Sequence, residues 1–150
     1  MGSTGSAGGS VGVNTGRLSS TQLGALLTEG RGATGTISVD GKIPARIFVD
    51  NEGGRGGVTI DMTSVGQAKR EAFIRALRGR TNTDNSQRAY DRAYNQAIAM
   101  GRPTLTAQRM AEEAREQVFR NVLQGVIRRN DRFSGIKIRS RITRNRPING

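Results

Sequence analysis

From Thr106 to about Arg129 an apolar residue returns at every fourth position: Met110, Ala114, Val118, Val122 and Val126, with Ala111 and Phe119 beside them. A recurrence of i, i+4 held over four steps, across a stretch far longer than a strand, is a helix signature. The fold must therefore be built around one long amphipathic helix whose stripe is expected to face the core. Thr106 is a suitable N-cap, and Leu105 stands where it could staple onto Met110. Gly125 interrupts the stripe at a cost of about 1 kcal/mol, a place where another backbone could approach. The supply of material for that core is small. Leu, Ile, Val and Phe make up 31 of 150 residues, against 21 Gly, near the level below which a charged chain fails to bury enough apolar surface.

Two further helices precede the long one. The first has Ser64 and Gln67 at capping-box spacing, an apolar face of Val65, Ala68, Ala72, Phe73, Ala76 and Leu77, and Gly79 as its stop. The second runs from about Ser86 to Met100, with Ala89, Ala93 and Ala97 recurring beside Tyr90, Tyr94 and Ile98, and ends at Gly101. A short helix is expected from Arg17 to Glu29. Between these lies a β region. Residues 36–49 read as a hairpin about Asp40-Gly41, a pair suited to the positive φ angles of a tight turn. Pro44 marks an edge or a bulge, and residues 58–62 read as a third strand. Residues 135–143 alternate, with Ile136, Ile138, Ser140 and Ile142 on one side and Lys137, Arg139, Arg141 and Thr143 on the other. The fold class read from this pattern is α+β, a small antiparallel sheet packed against two or three helices. Residues 1–16, rich in Gly, Ser and Thr, read as a flexible arm. Residues 17–143 form a single domain, and 144–150 a basic tail.

Charge is distributed unevenly. The net charge is +12, yet residues 1–66 are neutral. The excess lies in residues 67–150 and peaks in Arg128, Arg129, Arg132, Lys137, Arg139, Arg141, Arg144 and Arg146, opposed only by Asp131. Arg, the commoner cation here, pairs bidentately with phosphate and carboxylate. These eight residues are the candidate contact surface for nucleic acid or an acidic protein.

Other chemistry is poorly provided for. Without His or Cys, zinc sites, imidazole acid/base catalysis and Ser–His or Cys–His nucleophiles are excluded. No run of about 18 apolar residues could span a membrane. Gly30-Arg31-Gly32-Ala33-Thr34-Gly35 matches G-x-G-x-x-G, but a helix precedes it and a strand follows, the reverse of a dinucleotide fold. Glu112, Glu113 and Glu116 have Arg109, Arg115 and Arg120 one turn away and are expected to form solvated ion pairs with them. The Tyr90/Tyr94 and Arg88/Arg92 repeat reads as a helix that buries its rings and exposes its arginines. Met1-Gly2-Ser3-Thr4-Gly5-Ser6 fits a myristoylation pattern in form, as a Gly/Ser arm often will.

The expected function is non-enzymatic, without cofactor or metal: a structural component of a larger particle that meets other subunits through its arm and its Arg-rich face. The alternatives are a nucleic-acid-binding protein that reads phosphate rather than sequence and a small enzyme or toxin working without His and Cys. An oligomeric state in context and a place in the cytoplasm or a virus particle go with the first reading, since no secretory h-region follows Met1. The build, a Gly/Ser arm with a small α+β body and an Arg-rich end, is similar in composition to small structural components of phage particles.

Overall fold

The structure, a computed structural model, describes residues 16–29, 41–51, 57–81 and 83–140. Its elements in chain order are β1 (Arg17–Ser19), α1 (Ser20–Glu29), β2 (Arg46–Asp50), β3 (Gly57–Asp61), α2 (Gln67–Leu77), α3 (Thr83–Ala99), α4 (Thr104–Arg128), a 3-10 turn (Asp131–Phe133) and β4 (Lys137–Ser140). The fold is α+β. The four strands form one sheet in the order β1-β2-β3-β4.

The sheet is mixed rather than wholly antiparallel. β2 pairs antiparallel with β3, and β3 with β4, but β1 runs parallel to β2 with Arg17 opposite Phe48. Residues 17–19, expected as the first turn of a helix, form this extra strand. The reason is local. Ser19 and Gln22 make a reciprocal capping box, Gln22 N–H donating to Ser19 Oγ at 3.1 Å and Ser19 N–H to Gln22 Oε1 at 2.9 Å. Ser19 is thereby fixed as the N-cap, and an N-cap has extended backbone.

The described hairpin joins β2 to β3, whereas the expected partner at 36–39 lies outside the described residues. β2 begins at Arg46, so Pro44 stands before the strand rather than within it. β3 opens at Gly57, with φ of 126°; a side chain there would collide with the Val49 carbonyl. Arm residues 1–15, the end of the last strand and tail 144–150 also lie outside the described residues.

Leu18, Ile47, Val49, Val58 and Ile60 point from the sheet into the core and meet Leu23, Leu26 and Leu27 of α1, Phe73, Ile74 and Leu77 of α2, and Phe119, Leu123 and Val126 of α4. Phe133 closes this core edge-on to Phe73 at 5.3 Å. Two helix starts differ from expectation. α2 begins at Gln67 after Gly66, because Ser64 Oγ is used elsewhere, donating to the Gly135 carbonyl at 2.6 Å. α4 begins at Thr104, two residues earlier than expected, and Leu105 is 79% exposed rather than stapled.

α3 contributes nothing to the main core. It lies against α4 as a helical hairpin, with Ala97, Ala107 and Ala111 fully buried along the seam. The turn between the helices is a Schellman motif: Arg102 N–H donates to the Ala97 carbonyl and Gly101 N–H to that of Ile98, with Gly101 at φ 83°.

Candidate binding face

One face of the sheet covers the core, and no described element covers the other. Strand alternation and register put Arg17, Phe48, Thr59 and Arg139 in one row across all four strands, and Arg46, Asp61 and Lys137 in the next. At strand spacing the first row is about 14 Å long, and the rows are about 7 Å apart. Arg17, Arg46, Lys137 and Arg139 are exposed, and Phe48 is half-buried among them. The Arg17 guanidinium lies 5.6 Å from the Phe48 ring centre and 2.8 Å from an Asp50 carboxylate oxygen.

Asp61 holds the middle of the second row. Its carboxylate accepts from Thr63 Oγ1 at 2.7 Å and Thr63 N–H at 3.0 Å, and it lies 4.0 Å from Arg46 and 3.8 Å from Arg139. The Thr63 hydrogen bonds, helped by the two arginine charges, hold its pKa below the ordinary value of 3.8. Asp61 is therefore ionised at any physiological pH. It divides the cationic face into two guanidinium sites and leaves Lys137 beside it.

Of the eight residues expected to form the contact surface, Lys137 and Arg139 lie on this face. Arg128 and Arg129 stand exposed at the end of α4, and Arg132 in the 3-10 turn covers the Phe133 ring at 5.3 Å. Arg141, Arg144 and Arg146 lie outside the described residues. The basic stretch is thus split between a helix end and the sheet. The sheet brings in Arg17, Arg46 and Phe48, which sequence reasoning missed. The alternation in Arg46-Ile47-Phe48-Val49-Asp50 was the available signal, but register with β4 is a long-range property.

A second polar group lies on α4 itself. Glu112 and Arg115 pair at 2.7 Å, but part-buried rather than solvated as expected, and the Arg115 guanidinium lies 4.7 Å from the Tyr90 ring centre. Tyr90 and Tyr94 are parallel, 6.5 Å apart and half-buried, while Arg88 and Arg92 are exposed. Glu116 departs from expectation: it is only 4% exposed. Ser140 Oγ is 3.5 Å from its Oε2, and its Oε1 has no hydrogen-bond partner. Desolvation raises its pKa from 4.5 to about 7, against the opposing pull of Arg120 and a hydrogen bond with Asn51. An open groove of about 610 Å³ is lined, among the described residues, by Gly79, Arg80, Thr81, Asn85, Val118, Asn121 and Val122, none of them a carboxylate.

Comparison with known proteins returns no match, whether to a family model, a curated protein or a solved structure.

Proposed function

We propose that this is a non-enzymatic assembly protein whose open sheet face docks on an acidic protein surface within a larger particle. The observation that carries this reading is Asp61, ionised and central between Arg46 and Arg139. A phosphate backbone is a continuous line of negative charge, and it would meet this carboxylate in the middle of its track. A protein surface can instead place carboxylates opposite the arginines and a donor opposite Asp61. Such patterned pairing gives specificity more than affinity.

The second reading, a nucleic-acid binder, is favoured by Phe48 beside Arg17, since an aromatic ring among cations can stack a base. One experiment separates them. Reversing charge at Arg46 and Arg139 together (Arg46→Glu, Arg139→Glu) releases the chain from the particle with which the unaltered chain purifies from its native source. The unaltered chain, alone, does not retard random-sequence RNA or DNA at low salt. Retention of the variant in the particle defeats the docking reading, and tight salt-sensitive binding of RNA or DNA transfers the face to the second.

A further inference from the structure

Among the described residues the exposed large apolar side chains are Ile98, Met100 and Leu105, at 42%, 59% and 79% exposure. They are gathered at one place, the turn between α3 and α4. Their display is fixed by the backbone: the Schellman bonds close the end of α3, and Ala107 N–H bonds the Pro103 carbonyl at the start of α4. The turn is a rigid apolar cap on the end of a helical hairpin.

To a depth of about 9 Å behind this cap the charge is of one sign, with an acid, Asp91, standing just beyond Arg92. From Arg92 to Arg109 the chain carries three arginines, Arg92, Arg102 and Arg109, and no acid, and all three are exposed. Helical rise fixes their depth. Arg109 lies about 6 Å behind Leu105 along α4, and Arg92 about 9 Å behind Ile98 along α3. Tyr94, on the same ridge as Ile98, is about 6 Å behind it. Interfacial segments sink about 5–10 Å into the boundary between headgroups and acyl chains. A hairpin entering tip-first to that depth immerses the apolar cap and brings the two arginines level with the lipid phosphates. It also sets a tyrosine at the interface, where an amphipathic ring is favoured. Arg102, at the tip, is long enough to reach back to the phosphates.

We propose that the α3–α4 turn is a membrane-contact wedge that inserts shallowly into an anionic lipid surface. Ile98, Met100 and Leu105 enter the acyl boundary while Arg92, Arg102 and Arg109 pair with headgroup phosphates. A cationic collar on both helices favours this occupant over an apolar protein pocket, which would need acidic groups around its rim to match. The contact is peripheral, since no described helix is long and apolar enough to cross a bilayer.

The full chain is tested by co-sedimentation with vesicles of phosphatidylglycerol and phosphatidylcholine, and with phosphatidylcholine alone. It binds the anionic vesicles in a salt-sensitive way and leaves the neutral ones in solution. Met100→Asp with Leu105→Asp changes exposed positions, so the fold is kept, and weakens binding at least about tenfold. Because the chain has no Cys, Leu105→Cys accepts a single environment-sensitive dye, whose emission shifts to the blue on anionic vesicles. Absence of binding to anionic vesicles at low salt overturns the proposal. So does binding that survives the double substitution with an unshifted dye, which would place the contact on the arginines elsewhere. Loss of the native particle by the double variant, without lipid binding by the unaltered chain, would assign the cap to a protein pocket instead.

Discussion

Glu116→Gln isolates the cost of keeping a carboxylate inside this protein. The side chain is 4% exposed and one oxygen lacks a partner. In the folded chain it holds its proton up to about pH 7, against 4.5 when free. Between those values the folded state binds a proton that the unfolded state has released. This stabilisation is fully present below pH 4.5 and is lost as pH rises through about 7. A displacement of that size corresponds to at most about 3 kcal/mol. Glutamine has nearly the same shape, keeps the hydrogen-bonding capacity and does not titrate. The variant and the unaltered protein should therefore be equally stable near pH 4.5, and the variant more stable at pH 8 by up to about 3 kcal/mol, or on the order of 10 °C in melting temperature.

The assay is urea unfolding of both proteins at half-unit steps from pH 4.5 to 8. Asp61 does not confuse it. Its pKa is lowered, so its contribution is present above 3.8 and is lost only as pH falls below that value. Stability curves that run parallel across the whole range would refute the reasoning, and so would an unaltered protein that gains stability between pH 5 and 8.

Leu123→Asp should unfold the protein by placing a charge in a fully buried site, whereas Val118→Asp, at a partly buried position lining an open groove, should cost no more than about 1.5 kcal/mol; circular dichroism melts of the two decide it. Gly57→Ala should destabilise the β2–β3 hairpin by several kcal/mol, on the order of the strain at a forbidden φ plus a backbone collision, seen as a lowered urea midpoint. Asp61→Asn should remove the stabilisation that the carboxylate gives above pH 3.8, and with it the loss on further acidification, and free Arg46 and Arg139, so that heparin retention rises; unchanged retention would mean that the two arginines do not share the face as described.

The elements with strong local signals were legible in the sequence. α3 and α4 appear within three residues of their expected ends, Gly79 and Gly101 take the positive φ expected just past a helix end, and β4 alternates as read, with Ile136 buried and Lys137 and Arg139 exposed. What escaped depends on distant partners. The cap at Ser19 makes Arg17–Ser19 extended locally, but its place in the sheet needs β2, whose paired residues stand 31 positions on in the chain. The composition of the open face follows from register across four strands. Glu116 is buried because Asn51 and Ser140 come to it from two strand ends. No i±4 pattern on α4 contains that information, and the arginines beside Glu116 in sequence pointed to solvent.

The long helix shows why a correct periodicity can still assign the wrong surface. At about 100° per residue, a strict step of four advances about 40° each time. From Met110 to Val126 the row therefore winds about 160° around α4 and cannot face one partner throughout. Its middle members, Ala114 and Val118, share a side with the buried Ala107 and Ala111, the side taken by α3 and by the groove at Asn85, while Val122 stands at the border, lining the groove and packing against the main core. The residues that enter the main core, Phe119, Leu123 and Val126, centre about 110° away. α4 thus buries two faces, a small-residue seam that holds the hairpin and a large-residue seam that holds the body. Glu112, Glu116 and Arg120 fall on the body-facing side just where the large apolar residues stop. A helix that served the core alone would have no reason to run on past that polar boundary. The further turns, about three from Glu116 to Thr104, are explained by what they carry, which is α3 and the exposed apolar turn at its end.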